Sequence, residues 1–164
     1  MTWFSRYGWK HNPFSVLPDP NYMIGFEEIK ESILNFIMSN DMCLLTGATG
    51  SGKTTMLLWL ERHGLKKFKA AYIDGLNYSS VDVDKLIKSK RSFLDRILRR
   101  KPKIVLLVDE VQNVPQSFSE SLKGKWDLQD VHSIVFASID ERLENLTPSL
   151  RDRIGYRTVR LRPL

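Results

Sequence analysis

One stretch of the sequence, GATGSGKTT at residues 47–55, has the residue types and spacing of a loop that binds phosphate groups. It fits the pattern G-x-x-x-x-G-K-[ST], whose glycines let backbone N–H groups turn inward around phosphate oxygens. The lysine can reach the β- and γ-phosphates, and the hydroxyl that follows it can bind Mg²⁺. An apolar run precedes the loop and an apolar-faced helix follows it, which is the context that phosphate binding at a helix N-terminus requires. The sequence therefore predicts a site for ATP and Mg²⁺ formed by Gly47, Ala48, Thr49, Gly50, Ser51, Gly52, Lys53, Thr54 and Thr55.

A second candidate is the acidic pair that ends the aliphatic run IVLLVDE. Asp109 is expected to hold Mg²⁺ through water, and Glu110 to act as general base on the attacking water. Two acids at the polar end of a strand are common, so the pair alone has a purely structural alternative. Because the glycine loop is also present, we favour the functional interpretation.

Two further positions have weaker signals. Ser138 ends the apolar run VFAS, where a hydroxyl can contact the γ-phosphate or the water. In the segment SLRDRI, Arg153 or Arg151 can project towards the nucleotide of a neighbouring subunit as an arginine finger. The alternative for Ser138 is an ordinary strand end. The alternative for the arginine is a solvated or salt-bridged side chain without a role at the nucleotide.

These residues need a framework of alternating strands and helices. Short apolar or alternating runs predict five strands, at residues 42–46, 68–73, 104–108, 133–138 and 157–161. Amphipathic patterns and helix-capping residues predict helices at residues 27–39, 53–63 and 116–122, one or two helices within residues 83–99, and a short one that Thr147 caps with Pro148 at its first position. Residues 123–130 are expected to form a loop. The alternation predicts an α/β fold, a three-layer sandwich with a parallel sheet between helices.

The bulk composition limits the classes of protein to consider. The 164 residues suit one domain, and Cys43, the single cysteine, excludes an internal disulfide. No apolar run is long enough to span a membrane, and the N-terminus lacks a signal-peptide pattern, so we expect a cytoplasmic protein without membrane insertion. Residues 1–25, rich in aromatic residues and proline, are expected to form an arm on a core of residues 26–164.

The positive charge is concentrated in one segment. The net charge is +6, and residues 85–103 contain nine Lys or Arg and one acid, Asp95. Such a segment favours a polyanionic partner, and a solvated helix face is the alternative. We predict contacts with the phosphate backbone of double-stranded DNA for Lys85, Lys88, Lys90 and Arg91.

Together these motifs resemble the AAA+ ATPases, over roughly residues 23–164. The resemblance implies that Asp109 and Glu110 form the Walker B motif, that Ser138 is sensor 1 and that Arg153 is the arginine finger. It also implies a sheet order of 5-1-4-3-2. The segment MIGFEEIKESI looks like the family's segment near adenine, so Ile24 and Gly25 are expected to line the base.

Three details look like one branch of that family, which contains the ExeA/GspA proteins and the TniB and MuB transposition ATPases, and more distantly the origin-recognition initiators. They are the arm KHNPFSVLPDPNY, the run DEVQN and the ending LTPSLRDRIGYRTVRLRPL. The branch implies ATP hydrolysis, a homo-oligomer bridged through Arg153, and action on DNA in replication initiation, transposition or related remodelling. The family's helical lid is expected to be absent, since the chain stops at Leu164, where it would begin.

Two other functions remain open from the sequence. One is a nucleotide-gated module that holds a protein partner through the aromatic arm, as in the secretion-linked ExeA relatives, without DNA binding. The other is a small-molecule kinase, against which the acidic pair on the third strand, the lack of an arginine-rich lid insertion and the AAA+-like ending argue.

Overall fold

A computed structural model describes residues 2–8, 18–23, 25–91, 95, 97 and 102–162. Its centre is a parallel sheet with the order β2-β3-β4-β1-β5. The strands are β1 (Met42–Thr46), β2 (Lys69–Asp74), β3 (Ile104–Asp109), β4 (Ser133–Ser138) and β5 (Thr158–Arg160). This order is the predicted one read from the opposite edge, so the predicted fold and strand order are confirmed.

Helices cover both faces of the sheet. The described α-helices are α1 (Glu27–Met38), α2 (Lys53–Trp59), α3 (Val83–Ser89), α4 (Gln116–Asp127) and α5 (Pro148–Ile154). Helix α2 continues as a π-helical turn, Leu60–Gly64, and 3₁₀ segments occupy Trp3–Tyr7, Pro20–Tyr22, Gly75–Ser80 and Val111–Asn113. Thr147 caps α5 as predicted, accepting a hydrogen bond from the backbone of Leu150 at 3.3 Å.

The two faces of the sheet carry separate apolar cores. On one face, residues such as Ile33 of α1 and Leu57 of α2 pack with Val105 and Leu107 of β3. On the other, residues such as Ile87 of α3, Leu122 of α4 and Leu150 of α5 pack with Leu106 and Phe136. Every residue of β3 and β4 is buried, as expected for centre strands that are covered on both faces.

Within residues 83–99, predicted as one or two helices, α3 ends at Ser89, and most of the remainder lies outside the described residues. The largest error in a described boundary is at the end of α4. Residues 123–127, predicted to begin a loop, continue α4 as helix. Lys123 extends the helix through ion pairs with Glu120 at 3.6 Å and Asp127 at 3.7 Å, and Trp126 packs against the core. These contacts outweigh the low helix propensity of Gly124, which is worth only about 1 kcal/mol.

The register brings the carboxyl ends of four strands to one edge of the sheet. Thr46 of β1 lies beside Ser138 of β4, and Asp74 of β2 lies beside Asp109 of β3. In open α/β sheets, ligands bind at this edge. Within the described residues, no helix is long and apolar enough to cross a membrane.

Candidate nucleotide and magnesium site

The glycine loop connects β1 to α2 and has the conformation that the motif predicts. Gly50 (φ +82°) and Gly52 (φ +94°) are in the left-handed region, where a side chain would be strained. Gly47 is required for space instead, because an added Cβ would lie 2.6 Å from both the carbonyl oxygen of Leu161 and Oγ of Ser51. The loop therefore depends on glycine at all three positions.

Inside this loop, two polar side chains are arranged for an anion. Lys53 is 5% exposed, and its ammonium group donates hydrogen bonds to the carbonyl oxygens of Gly47 (2.8 Å) and Ala48 (3.1 Å). The hydroxyl of Ser51 is buried without a hydrogen-bond partner. A buried cation and an unsatisfied donor fit a bound phosphate, which can accept from both.

Thr54 and Asp109, which are expected to hold Mg²⁺, are in direct contact. The Thr54 hydroxyl donates a hydrogen bond of 2.7 Å to Oδ2 of Asp109, although the two residues are 55 positions apart. Oδ1 of Asp109 accepts from the backbone N–H of Glu110 at 2.9 Å, and the residue is 2% exposed. Mg²⁺ prefers oxygen ligands of this kind, and it usually takes only one or two from the protein. The donor set therefore fits Mg²⁺.

Sequence reasoning missed Tyr72, which contacts the same carboxylate. Its hydroxyl donates to Oδ2 of Asp109 at 2.9 Å. Burial, followed by the negative charge of Asp109, raises the pKa of Tyr72, so the phenol remains a donor at physiological pH. The predicted strand order places β2 beside β3, but the contact also depends on their register, which pairs Tyr72 with Leu107, two residues before Asp109, and the sequence alone does not give that register.

Gly75, which follows β2, was also missed. An added Cβ there would lie 2.5 Å from the carbonyl oxygen of Glu110 and 2.6 Å from that of Asp109. The end of β2 therefore packs directly against the backbone of the acidic pair. A glycine two positions after a predicted strand was the available signal.

The candidate general base and the candidate sensor are joined by a side chain that the sequence did not single out. Glu110 adopts a left-handed conformation (φ +49°), and its carboxylate accepts a hydrogen bond from the amide of Gln112. The other end of that amide, Oε1, accepts from the hydroxyl of Ser138 at 3.0 Å. The Ser138 hydroxyl also accepts from the backbone N–H of Asp140 at 3.0 Å. The side chain of Gln112 therefore links Glu110 to Ser138.

Arg153 lies against its own chain. Its guanidinium is 3.3 Å from the carboxylate of Asp127 and 5.1 Å from the centre of the Trp126 ring, and its side chain is 47% exposed. This is the salt-bridged alternative raised from the sequence. Arg151 on the same helix is exposed. The arginine-finger role stays a prediction for both.

The adenine residues are only partly described. Ile24 falls outside the described residues, and Gly25 is exposed with φ +82°. Their contact with a base stays a prediction.

The four predicted DNA contacts differ in their surroundings. Lys85 and Lys88 are exposed on α3, and Lys85 lies 3.4 Å from Asp82. Lys90 is half-buried, and Arg91 lies 3.9 Å from Asp130, so a phosphate would have to compete with that carboxylate. Of the four residues, the exposed Lys85 and Lys88 are therefore better placed to contact DNA phosphates.

Comparisons with known proteins agree with this geometry. The model of the AAA domain family matches residues 39–164. No curated protein matches the chain. Among solved structures, AMPPCP-bound DnaA from Aquifex aeolicus has a TM-score of 0.61 at 18% identity, over 92% of this chain and 51% of that one. Cdc6p from Pyrobaculum aerophilum has a TM-score of 0.59 at 19% identity, over 92% and 48%.

ORC1 from Aeropyrum pernix, solved in complex with DNA, has a TM-score of 0.62 at 16% identity, over 91% of this chain and 46% of that one. The chain thus spans about half the length of these solved proteins, and at such low identity the likeness concerns the fold. The family match covers most of the chain and includes the glycine loop, the acidic pair and the helix of Arg153. The chain therefore belongs to the AAA domain family and has the fold of the AAA+ P-loop NTPases.

Proposed function

We propose that this chain binds ATP together with Mg²⁺, hydrolyses it to ADP and phosphate, and acts as an oligomer on DNA. One observation carries the proposal. The glycine loop, with its buried lysine and unsatisfied serine donor, lies directly beside the Thr54–Asp109 hydrogen bond of 2.7 Å. Phosphate-binding donors and hard oxygen ligands for a divalent ion are thereby combined in one place.

Each residue has a distinct task in the proposed reaction. Lys53 exchanges its two carbonyl partners for phosphate oxygens, and Thr54 and Asp109 hold Mg²⁺, which when bound neutralises charge on the phosphates. Glu110 accepts a proton from the attacking water as the bond from water oxygen to the γ-phosphorus forms. The bond between that phosphorus and its bridging oxygen breaks, leaving ADP and phosphate.

Structural relatives support the DNA-directed part of the proposal. One solved relative with a TM-score of 0.60 is the replication initiator DnaA bound to AMPPCP and single-stranded DNA, and the ORC1 relative was solved with DNA. In this chain, Lys85 and Lys88 are the exposed cations on α3 that we assign to phosphate contacts with duplex DNA. Arg153 would bridge subunits after leaving Asp127 and Trp126.

Phosphate release from ATP tests the enzymatic part. We expect magnesium-dependent release by the purified chain, and loss of that release in Glu110→Gln with ATP binding retained. Release that survives this substitution unchanged would remove Glu110 from the mechanism.

Fluorescence anisotropy with a labelled duplex across a salt series tests DNA binding. We expect binding that is tighter with a non-hydrolysable ATP analogue and weaker at high salt. Absence of binding at low salt would overturn the DNA part and favour the nucleotide-gated protein-interaction alternative.

A further inference from the structure

The phenol of Tyr72 has a place at the magnesium site that the proposed reaction does not yet use. We infer that Tyr72 is a positioning residue for Mg²⁺, which acts by orienting the Asp109 carboxylate and thereby raises the affinity for the magnesium–nucleotide complex. This inference rests on the proposed function, because it concerns the same site. It predicts that loss of the Tyr72 hydroxyl weakens ATP binding when Mg²⁺ is present and leaves ATP binding unchanged when Mg²⁺ is absent.

Three hydrogen bonds fix the Asp109 carboxylate. Oδ2 of Asp109 accepts from Thr54 at 2.7 Å and from Tyr72 at 2.9 Å, and Oδ1 accepts from the backbone of Glu110 at 2.9 Å. A carboxylate has about four lone-pair sites, so these three donors fix its rotation and leave about one site for a water of the hydrated ion. Without Tyr72, Oδ2 has one donor and the carboxylate can turn.

The register of β2 against β3 brings Tyr72 to the row of side chains that includes Asp109. Tyr72 is paired with Leu107, and both pack on the face of the sheet that α1 and α2 cover. Since side chains two positions apart on a strand share a face, the carboxylate of Asp109 lies along the same row as Leu107. A long side chain that ends in a hydroxyl is needed to reach the Asp109 carboxylate from position 72.

The residue of β2 that lies directly beside Asp109 in the register is turned away from the site. That residue is Asp74, a second carboxylate, which would repel Asp109 or compete with it for the ion. Its side chain instead accepts hydrogen bonds from the backbone of Leu76 (2.9 Å) and the amide of Asn77 (2.6 Å). The Asp74 carboxylate is therefore bound within the 3₁₀ segment that follows β2. The group of β2 that contacts Asp109 is instead the neutral hydroxyl of Tyr72.

A purely structural role for Tyr72 makes a different prediction. If the phenol only satisfies a buried carboxylate, its removal lowers the stability and affects nucleotide binding equally with and without metal. A positioning role affects only the binding that depends on metal. The comparison of the two affinities therefore separates the roles.

The experiment measures the Kd of ATP by calorimetry twice, in excess EDTA and in saturating Mg²⁺. In Tyr72→Phe, we expect the Kd in EDTA to match that of the wild type, and the enhancement by Mg²⁺ to fall about tenfold, the usual effect of losing an outer-shell partner. The variant is expected to fold, since the Tyr72 ring is only half-buried and Asp109 keeps two donors.

Tyr78→Phe is the matched control. Tyr78 is also half-buried, but its ring packs against Phe118 at 5.5 Å on the opposite face of the sheet, so we expect both Kd values to be unchanged. Asp109→Asn provides a second test, because Tyr72→Phe should have no additional effect on the magnesium enhancement in that background if Tyr72 acts through Asp109.

The possible results are distinct. An unchanged magnesium enhancement in Tyr72→Phe, or equal weakening with and without metal, overturns the inference while leaving the proposed function intact. A wild-type chain whose ATP affinity ignores magnesium overturns the proposed function itself. A loss confined to the affinity measured with Mg²⁺, and absent in Tyr78→Phe, supports the inference.

Discussion

Glu110 and Ser138 come from the ends of different strands, and the amide of Gln112 contacts both side chains. The candidate general base and the candidate phosphate sensor are thus held in one hydrogen-bonded chain. The Ser138 hydroxyl, which would donate a hydrogen bond to a γ-phosphate, donates in this structure to Oε1 of Gln112. Gln112 is therefore expected to affect the chemical step more than nucleotide binding.

The first prediction concerns this amide. Gln112→Ala should lower kcat for ATP hydrolysis about tenfold and leave KM within about twofold, because the Glu110 carboxylate loses its orientation. Steady-state phosphate release measures both values. Asn113→Ala, at the exposed next position, is the control. A kcat that is unchanged or raised in Gln112→Ala would contradict the positioning of Glu110 by this amide.

The second prediction concerns Arg153, whose release from Asp127 and Trp126 the finger role requires. Arg153→Ala should reduce hydrolysis several-fold only at protein concentrations where the chain self-associates. Arg151→Ala, on the same helix, separates the two finger candidates, because only the residue that acts as the finger should show this dependence on self-association. Activity per subunit measured over a dilution series, alongside sedimentation, provides the test. An equal loss in the dilute, monomeric protein would show that Arg153 acts within its own subunit.

The third prediction concerns the charge of α3. Substitution of both Lys85 and Lys88 by alanine should reduce the slope of log affinity for duplex DNA against log salt by about 1.8, since each phosphate contact contributes about 0.9. Lys66 and Lys67, an exposed pair before β2, are the control for total charge. If replacing the control pair changes the slope as much as replacing the α3 pair, α3 is not a specific contact surface.

The site could be predicted from the sequence where chemistry is local. The glycine loop, its lysine and its threonine are adjacent in the chain. Strands β1 and β4 are apolar runs, and their predicted bounds match those of the structure. The residues that were missed, Tyr72 and Gln112, have their roles through partners on other segments. A tyrosine on a strand has no local signal that distinguishes core packing from contact with a carboxylate.

The same reasoning explains the errors in element boundaries. The sequence pattern predicts that α4 ends at residue 122, five residues too early, because Gly124 and the polar residues around it are typical of a loop. Its continuation depends on Trp126, which packs on the core and donates a hydrogen bond to the carbonyl oxygen of Asn40 at 3.1 Å. That contact spans two distant parts of the chain, so local propensity could not reveal it.

The fourth prediction concerns Cys43, the single cysteine, which is buried in β1. Burial, followed by the nearby charge of Asp41, raises the pKa of its thiol from 9.0 to about 12. At pH 8 the thiolate fraction is then about one in ten thousand, against about one in ten in the unfolded chain. Labelling by a disulfide reagent should therefore be very slow in buffer and rapid in denaturant.

The same shift makes a prediction about stability. Because the folded state keeps a proton that the unfolded chain gives up above pH 9, the stabilising contribution is complete below pH 9 and is lost as pH rises towards 12. Cys43→Ala should show a weaker loss of unfolding free energy over this range in urea titrations. Rapid labelling of the native wild type at pH 8 would contradict the burial of β1.

The most direct test of the account is calorimetric titration of the chain with ATP, in Mg²⁺ and in EDTA, for the wild type and Lys53→Ala. Because Lys53 supplies a buried charge to the phosphates, and hydrogen bonds to charged groups contribute about 1.5–3 kcal/mol, its loss should weaken binding about 10- to 100-fold. We predict magnesium-enhanced binding of ATP by the wild type and this weakening in the variant. Equal affinities of the two proteins, or no binding of ATP by the wild type in the presence of Mg²⁺, would contradict the account.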